Sequence, residues 1–294
     1  MKMKKMWTFL SIILIMSIYH MQYINSIAYK TSFDYNFLNN NQIVNYTKSI
    51  LLKNNIAKEN INIWSSYVKK YNLHNPNFIK NTCTGWNKIR LSNYSKIDFK
   101  ELLNGWTDEA DAVDLNCRIS SFILIKDNIS SDYFTRKSDS FINKEIIKMN
   151  SYFGEYFTNK DATTYSSLYT PIELSVDDSK SINVYDETLK TLNNNWKNEN
   201  LIFKKDNVKL IQVIFIESID KCNIQATTGH VGLLIKDNSM LYFIEKKNPC
   251  FPYQISKFKT YNELNQYIFS QFKEFKNNKL MILQNGDMIF KQDI

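Results

Sequence analysis

The pair Asn285-Gly286, set between Met281-Ile-Leu-Gln284 and Met288-Ile-Phe290, constrains this chain more than any other stretch. Asn-Gly takes up the left-handed backbone of a two-residue hairpin turn at little cost, and two apolar runs flank it. An antiparallel pair is therefore expected at the C-terminus. Val208 to Ile216 is rich in β-branched residues and reads as a buried strand. His230 to Ile235 and Leu241 to Lys246 flank Asp237-Asn238, a second two-residue turn. Thr260-Tyr-Asn-Glu263 is a capping box that opens a helix through Phe275.

Earlier in the chain the apolar period is helical. Gln42 to Lys53 places Ile43, Val44, Tyr46, Ile50 and Leu51 at near-helical spacing. Asn60 caps a helix carrying Ile61, Trp64, Val68 and Tyr71, and Asp98 caps a short helix that Gly105 ends. Asp114 caps a helix carrying Cys117, which puts Cys117 at the third helical position. Phe141 to Phe157, interrupted by Gly154, and Tyr185 to Trp196 complete the set. The fold class is α+β, with a helical N-terminal half and an antiparallel sheet in the C-terminal half. With 44% apolar residues, residues 29–294 suffice for one large domain. The Ser-, Thr- and Asp-rich stretch 158–180 is a soft division within it.

The first residues set the expected compartment. Met1-Lys-Met-Lys-Lys5 is a basic start, and Trp7 to Tyr19 is an apolar core too short to span a bilayer. Ser26-Ile-Ala28 is a small-x-small cleavage site, so residues 1–28 read as a signal peptide and the protein as secreted or envelope-associated. An uncleaved anchor is the alternative. No later stretch is long and apolar enough for an integral membrane segment. The formal net charge of +8 falls to +5 (8 − 3) once Lys2, Lys4 and Lys5 leave with the leader. The remaining lysines alternate with Asn, Asp and Glu, which is the pattern of solvated faces and not of a nucleic-acid groove.

The chemistry centres on two residues. A thiolate is the attacking form of cysteine, and a helix start favours it over the thiol. Histidine is the side chain suited to deprotonate a thiol near neutral pH. After leader removal only His74 and His230 remain. Counting back from a turn at Asp237-Asn238 places Glu245 directly opposite His230, so that the carboxylate can orient the ring. A slip of one residue would remove the contact. Cys117 as nucleophile, His230 as base and Glu245 as orienter is the resulting site, with Asn248 as a second candidate orienter. Backbone N–H groups at the helix start would hold an oxyanion. Against it stand a structural, buried Cys117 and a surface His–Glu pair. Asn116, Trp106 and Tyr253 are candidate substrate contacts. The acidic cluster Asp108, Glu109, Asp111 and Asp114 reads first as a helix N-terminal bias that complements the dipole, with recognition of a cationic amine or binding of a metal as the alternatives. No spacing of Cys and His suits a metal, and no cofactor motif is present. Cys83, Cys117, Cys222 and Cys250 allow two disulfides in three connectivities. A free Cys117 is favoured, and Cys222 and Cys250, which flank the His hairpin, are a candidate pair that would leave Cys83 unpaired.

Asp114-Leu-Asn-Cys-Arg118, Thr228-Gly-His-Val-Gly-Leu-Leu-Ile235 and Leu241-Tyr-Phe-Ile-Glu-Lys246, with Asn248-Pro249, Pro252-Tyr253, Trp86 and Gly105-Trp106, resemble an uncharacterised family. It comprises secreted or lipid-anchored proteins of low-GC Gram-positive bacteria, domain of unknown function 4300. More distantly, a Cys at a helix start and His-Val-Gly at a strand start are similar to papain-like cell-wall peptidases of the NlpC class. The chain departs from that class in having Asn116 before the Cys, Arg118 after it, and 113 positions (230 − 117) between Cys and His. The resemblance implies a papain-like arrangement and hydrolysis or acyl transfer at an amide bond, with a cell-wall peptide or a protein as substrate. A non-catalytic binding or surface-interaction protein on the same fold is the competing expectation.

Overall fold

Helix α1 (Asn41–Lys53) begins where the Asn40 side chain accepts from the Ile43 N–H at 2.9 Å, and it buries Ile43, Thr47, Ile50 and Leu51 along one stripe. This is the first helix of a computed structural model that describes residues 31–80, 82, 85–99, 102, 115–175, 183–204, 207–220, 222–272 and 279–293. It is followed by α2 (Lys58–His74), the short α3 (Pro76–Lys80) and α4 (Leu91–Tyr94), α5 (Cys117–Ile125), α6 (Ser140–Phe153), α7 (Asn159–Tyr169), α8 (Val184–Asn198) and α9 (Tyr261–Phe272). Asn60 lies inside α2, with Ala57 at its N-cap; the Asn60 side chain bonds Asp127 and Tyr156 instead. Gly154 ends α6 with a positive φ of 52°. The short helix expected between Asp98 and Gly105 falls largely outside the described residues, as do Trp106, Asp114 and the leader.

The strands are β1 (Ser32–Asn36), β2 (Asn87–Arg90), β3 (Ile129–Ser130), β4 (Ile172–Ser175), β5 (Ile202–Phe203), β6 (Val208–Ser218), β7 (Asn223–Asp237), β8 (Met240–Lys246), β9 (Tyr253–Phe258), β10 (Lys279–Gln284) and β11 (Asp287–Asp293). One antiparallel sheet runs β11-β10-β6-β7-β8-β9-β1-β2, and β4 also pairs with β7. The expected α+β class holds, with two additions. β1 and β2 come from the helical half and extend the sheet at its far edge. Of the stretch expected as a soft division, the described residues 158–175 form α7, opened by a Thr158–Asp161 capping box, and β4, and 176–180 lie outside the described residues.

The Asn285-Gly286 turn forms as expected, with φ of 50° and 92° and Gln284 facing Asp287. In the β7–β8 hairpin the turn is Asn238-Ser239, one residue later than expected. Asn238 takes the left-handed conformation (φ 53°), and Asp237 pairs with Met240 and binds Lys53.

The sheet is covered on both faces. On one, α1, α2, α5 and α7 pack Trp64, Ile119, Phe122 and Tyr165 against Val231, Leu233 and Ile235. On the other, α9 packs Leu264, Tyr267, Ile268 and Phe272 against Leu234 and Phe243. The detail that positions the site lies in β7. β6 accompanies it along one edge. The other edge is shared: β4 takes residues 223–226 and β8 takes 232–237. Between them, no strand among the described residues pairs with 227–231 on that side.

Among the described residues no helix is long and apolar enough to cross a membrane.

Candidate active site

His230 sits in this uncovered stretch of β7. The register against β6 shifts there, with His230 opposite Val213 and Thr228 opposite Ile214, so Gly229 is the extra residue of a bulge. A side chain at Gly229 would meet the Phe215 ring at 2.0 Å, so glycine is required for the bulge to lie flat on its neighbour. The His230 ring is 1% exposed and packs toward Phe272 and Phe243 at centroid distances of 5.5 and 6.4 Å. Its Nε2 is 2.6 Å from Glu245 Oε2.

That contact was expected from a pairing that is not the observed one. Glu245 lies directly opposite Gly232, so His230 is its diagonal neighbour two residues away. A shift of two residues preserves the face on which a side chain lies, and the carboxylate still reaches the ring. Asn248 does not compete, since its side chain accepts from the Phe251 N–H.

Cys117 opens α5. The N-cap is Asn116, whose Oδ1 accepts from the Ile119 N–H at 2.9 Å, so Cys117 is the first helical residue and not the third. Its own N–H and that of Arg118 have no acceptor within the helix. The helix packs on one face of the sheet and the His230 ring lies among side chains of the other, while side chains of α5 reach backbone carbonyls in this stretch of β7. Arg118 Nη1 donates to the Thr228 carbonyl at 2.9 Å, and Ser121 Oγ to that of Val231 at 3.4 Å.

The thiol and the ring titrate as a pair. With Nε2 on Glu245, Nδ1 is the ring nitrogen left for the thiol; it is buried and has no hydrogen bond of ordinary geometry. Even so, each group shifts the other. Burial resists ionisation of Cys117, but the His230 ring and then the Arg118 charge overcome it and lower the thiol's pKa. Burial likewise disfavours the charged ring, and the Cys117 and Glu245 partners raise its pKa to about 9. Each group thus favours the charged form of the other.

Each cation has its own carboxylate. Glu245 Oε1 accepts from the Tyr267 hydroxyl at 2.5 Å, while Gln254 bridges Tyr267 and Tyr94. On the other side of the thiol, Arg118 forks onto Glu145, which also accepts from Asn116 and from the Tyr165 hydroxyl at 2.7 Å. Sequence reasoning missed Glu145. Its signal was present: Ile142, Glu145 and Met149 form one buried stripe of α6, and a carboxylate on such a stripe needs a partner.

Tyr253 does not line an open cleft. It is 1% exposed, packed between Trp64 and Tyr71 with Lys246 over its ring. Cys222 is an exposed free thiol, so the Cys222–Cys250 disulfide is not formed; Cys83 lies outside the described residues. Among the described residues no group of three or more His, Cys, Asp or Glu side chains is placed to hold a metal ion.

The sequence model of one family, described as a domain of unknown function (DUF4300), matches residues 34–289. The chain belongs to this family. The match takes in Cys117, Arg118, Glu145, His230 and Glu245, and with them the whole of the described site. No curated protein and no solved structure matches the chain.

Proposed function

We propose that this member of the DUF4300 family is a secreted, papain-like cysteine hydrolase or acyltransferase acting on an amide bond. The reading rests on one observation: a helix-start Cys117 coupled to His230, whose far nitrogen is held by the buried Glu245. A cysteine with only a packing role needs neither a histidine nor a carboxylate behind that histidine.

In this mechanism the Cys117 thiolate attacks the amide carbonyl. The His230 imidazolium gives its proton to the departing amine, leaving an acyl thioester. Water completes hydrolysis, or a second amine completes transfer, with neutral His230 as the base. Glu245 keeps the ring oriented through both steps. The basic and apolar leader, together with the likeness to cell-wall peptidases, makes peptides of the cell wall the substrates to try first.

Alkylation of the native protein by iodoacetamide across pH tests the pair. Cys117 is expected to react well below the free-thiol range near pH 8.5, and His230→Ala to move the profile upward. Cys117→Ala and His230→Ala should each abolish release of cell-wall peptide, and the double change should cost little more. The near-complete burial of Cys117, 5% exposed, is what favours the non-catalytic alternative. A profile at the free-thiol value, indifferent to His230, would decide for that alternative. Export is tested separately: secreted material whose N-terminal sequence starts at Met1 would refute cleavage after Ala28.

A further inference from the structure

Tyr169 ends α7 with its ring 1% exposed and its hydroxyl buried without a hydrogen-bond partner. Burying an unpaired hydroxyl costs free energy, and a phenylalanine would fill the same space without that cost. The neighbourhood supplies a reason for the oxygen. One turn earlier on the same helix, Tyr165 packs its ring on Phe122 at 5.2 Å and sets its hydroxyl on Glu145. Glu145 in turn holds Asn116 and Arg118, the residues on either side of the thiol. The Tyr169 ring meets that of Tyr165 edge-on at 4.8 Å.

We propose that Tyr169 is a catalytic residue whose hydroxyl, with the free N–H groups at the start of α5, holds the oxyanion formed when Cys117 attacks an acyl carbon. The assignment rests on Cys117 being an acylating nucleophile. Burial, and then the negative charge of Cys117, hold the Tyr169 pKa well above the ordinary tyrosine value, with Glu145 adding to this and Arg118 opposing it. The hydroxyl is thus a neutral donor within electrostatic reach of the sulfur. It gives a hydrogen bond to the oxyanion and keeps its proton.

An activated ester isolates this role. With p-nitrophenyl acetate, a sulfur electron pair forms the S–C bond and the carbonyl π pair moves onto oxygen. Collapse restores the C=O bond and expels p-nitrophenolate, leaving acetyl-Cys117. Iodoacetamide reacts at the same sulfur by displacing iodide from a saturated carbon, so no oxyanion forms.

Tyr169→Phe is expected to leave the iodoacetamide rate and its pH profile within about twofold of the parent. The burst of p-nitrophenolate, assigned to Cys117 by mass, should fall by about 10²–10³. Its thermal midpoint should be at or above the parent's. Tyr165→Phe, which loses a paired hydroxyl, should move both rates together. Equal acylation by the parent and Tyr169→Phe, or equal losses with both reagents, would overturn the assignment while leaving the Cys–His pair intact. A parent thiol with an ordinary pH profile would remove the nucleophile, and the assignment with it.

Discussion

Arg118 and Glu145 lock together through two parallel bonds, Nε to Oε2 at 3.0 Å and Nη2 to Oε1 at 2.7 Å. The remaining nitrogen of the guanidinium reaches the Thr228 carbonyl, two residues from His230. One side chain therefore ties the cysteine helix to the histidine strand. Both partners are buried, which makes the pair asymmetric under mutation. Arg118→Ala strands a buried carboxylate and should cost about 3–5 kcal/mol. The double change Arg118→Met with Glu145→Met should cost much less, since it leaves no charge behind. Urea unfolding of the three proteins checks this, and a double variant as unstable as the single one would show that the two residues do not act as a unit.

The His230 ring should titrate near pH 9, against about 6.5 for a free histidine. Since the folded value is raised, the ring's proton stabilises the fold in full below about pH 6.5, and the contribution is lost as pH rises through about 9. Cys117→Ser and Glu245→Gln should each bring the midpoint down, because each removes a partner that favours the charged ring. Proton NMR of the ring Hε1 resonance reads the midpoint directly. A parent midpoint at or below the free value would mean that burial has won and that no imidazolium is present at neutral pH.

Gly232 stands directly opposite Glu245. A methyl group there would come within 2.4 Å of the Phe243 ring and 3.0 Å of the Ile244 carbonyl oxygen. Gly232→Ala is therefore expected to push β8 away, at about 1–3 kcal/mol. The displaced Glu245 should let the His230 midpoint fall. Stability loss with an unmoved midpoint would show that the strand absorbs the methyl group elsewhere.

Phe122, behind the cysteine, is 1% exposed and meets Tyr165 edge-on at 5.2 Å. Phe122→Ala should cost about 3–5 kcal/mol through the cavity it leaves. In the folded fraction the alkylation profile should be that of the parent, since the side chain carries no group that titrates or hydrogen-bonds. An altered profile would show that this core sets the position of Cys117.

The elements legible in the sequence were those with a local cause. Asn285-Gly286 carries its own backbone conformation, and α1, α6 and α8 repeat their apolar residues at the helical period. The His230–Glu245 contact was legible because a two-residue error in register preserves strand parity, so Glu245 stayed on the His230 face. What was missed depends on distant partners. β1 and β2 become strands only beside β9 and each other, and nothing near Ser32 or Asn87 signals that edge. Asn116 displaced Asp114 as the expected cap by bonding both the helix and Glu145. Tyr267, Gln254 and Tyr94 gain meaning only once Glu245 is buried among them.

The uncovered stretch of β7 has a consequence for the order of events in the life of the chain. Its two flanks, β4 and β8, arrive from opposite sides of β7 in sequence, and the helix whose Arg118 and Ser121 bond its carbonyls begins at residue 117. Until all three have docked, Cys117 has no ring beside it and behaves as any cysteine in an unfolded peptide. A chain still being made, or a proteolytic piece lacking either flank, carries a quiescent sulfur. The pairing of Cys117 with His230 is therefore a late reporter of complete assembly.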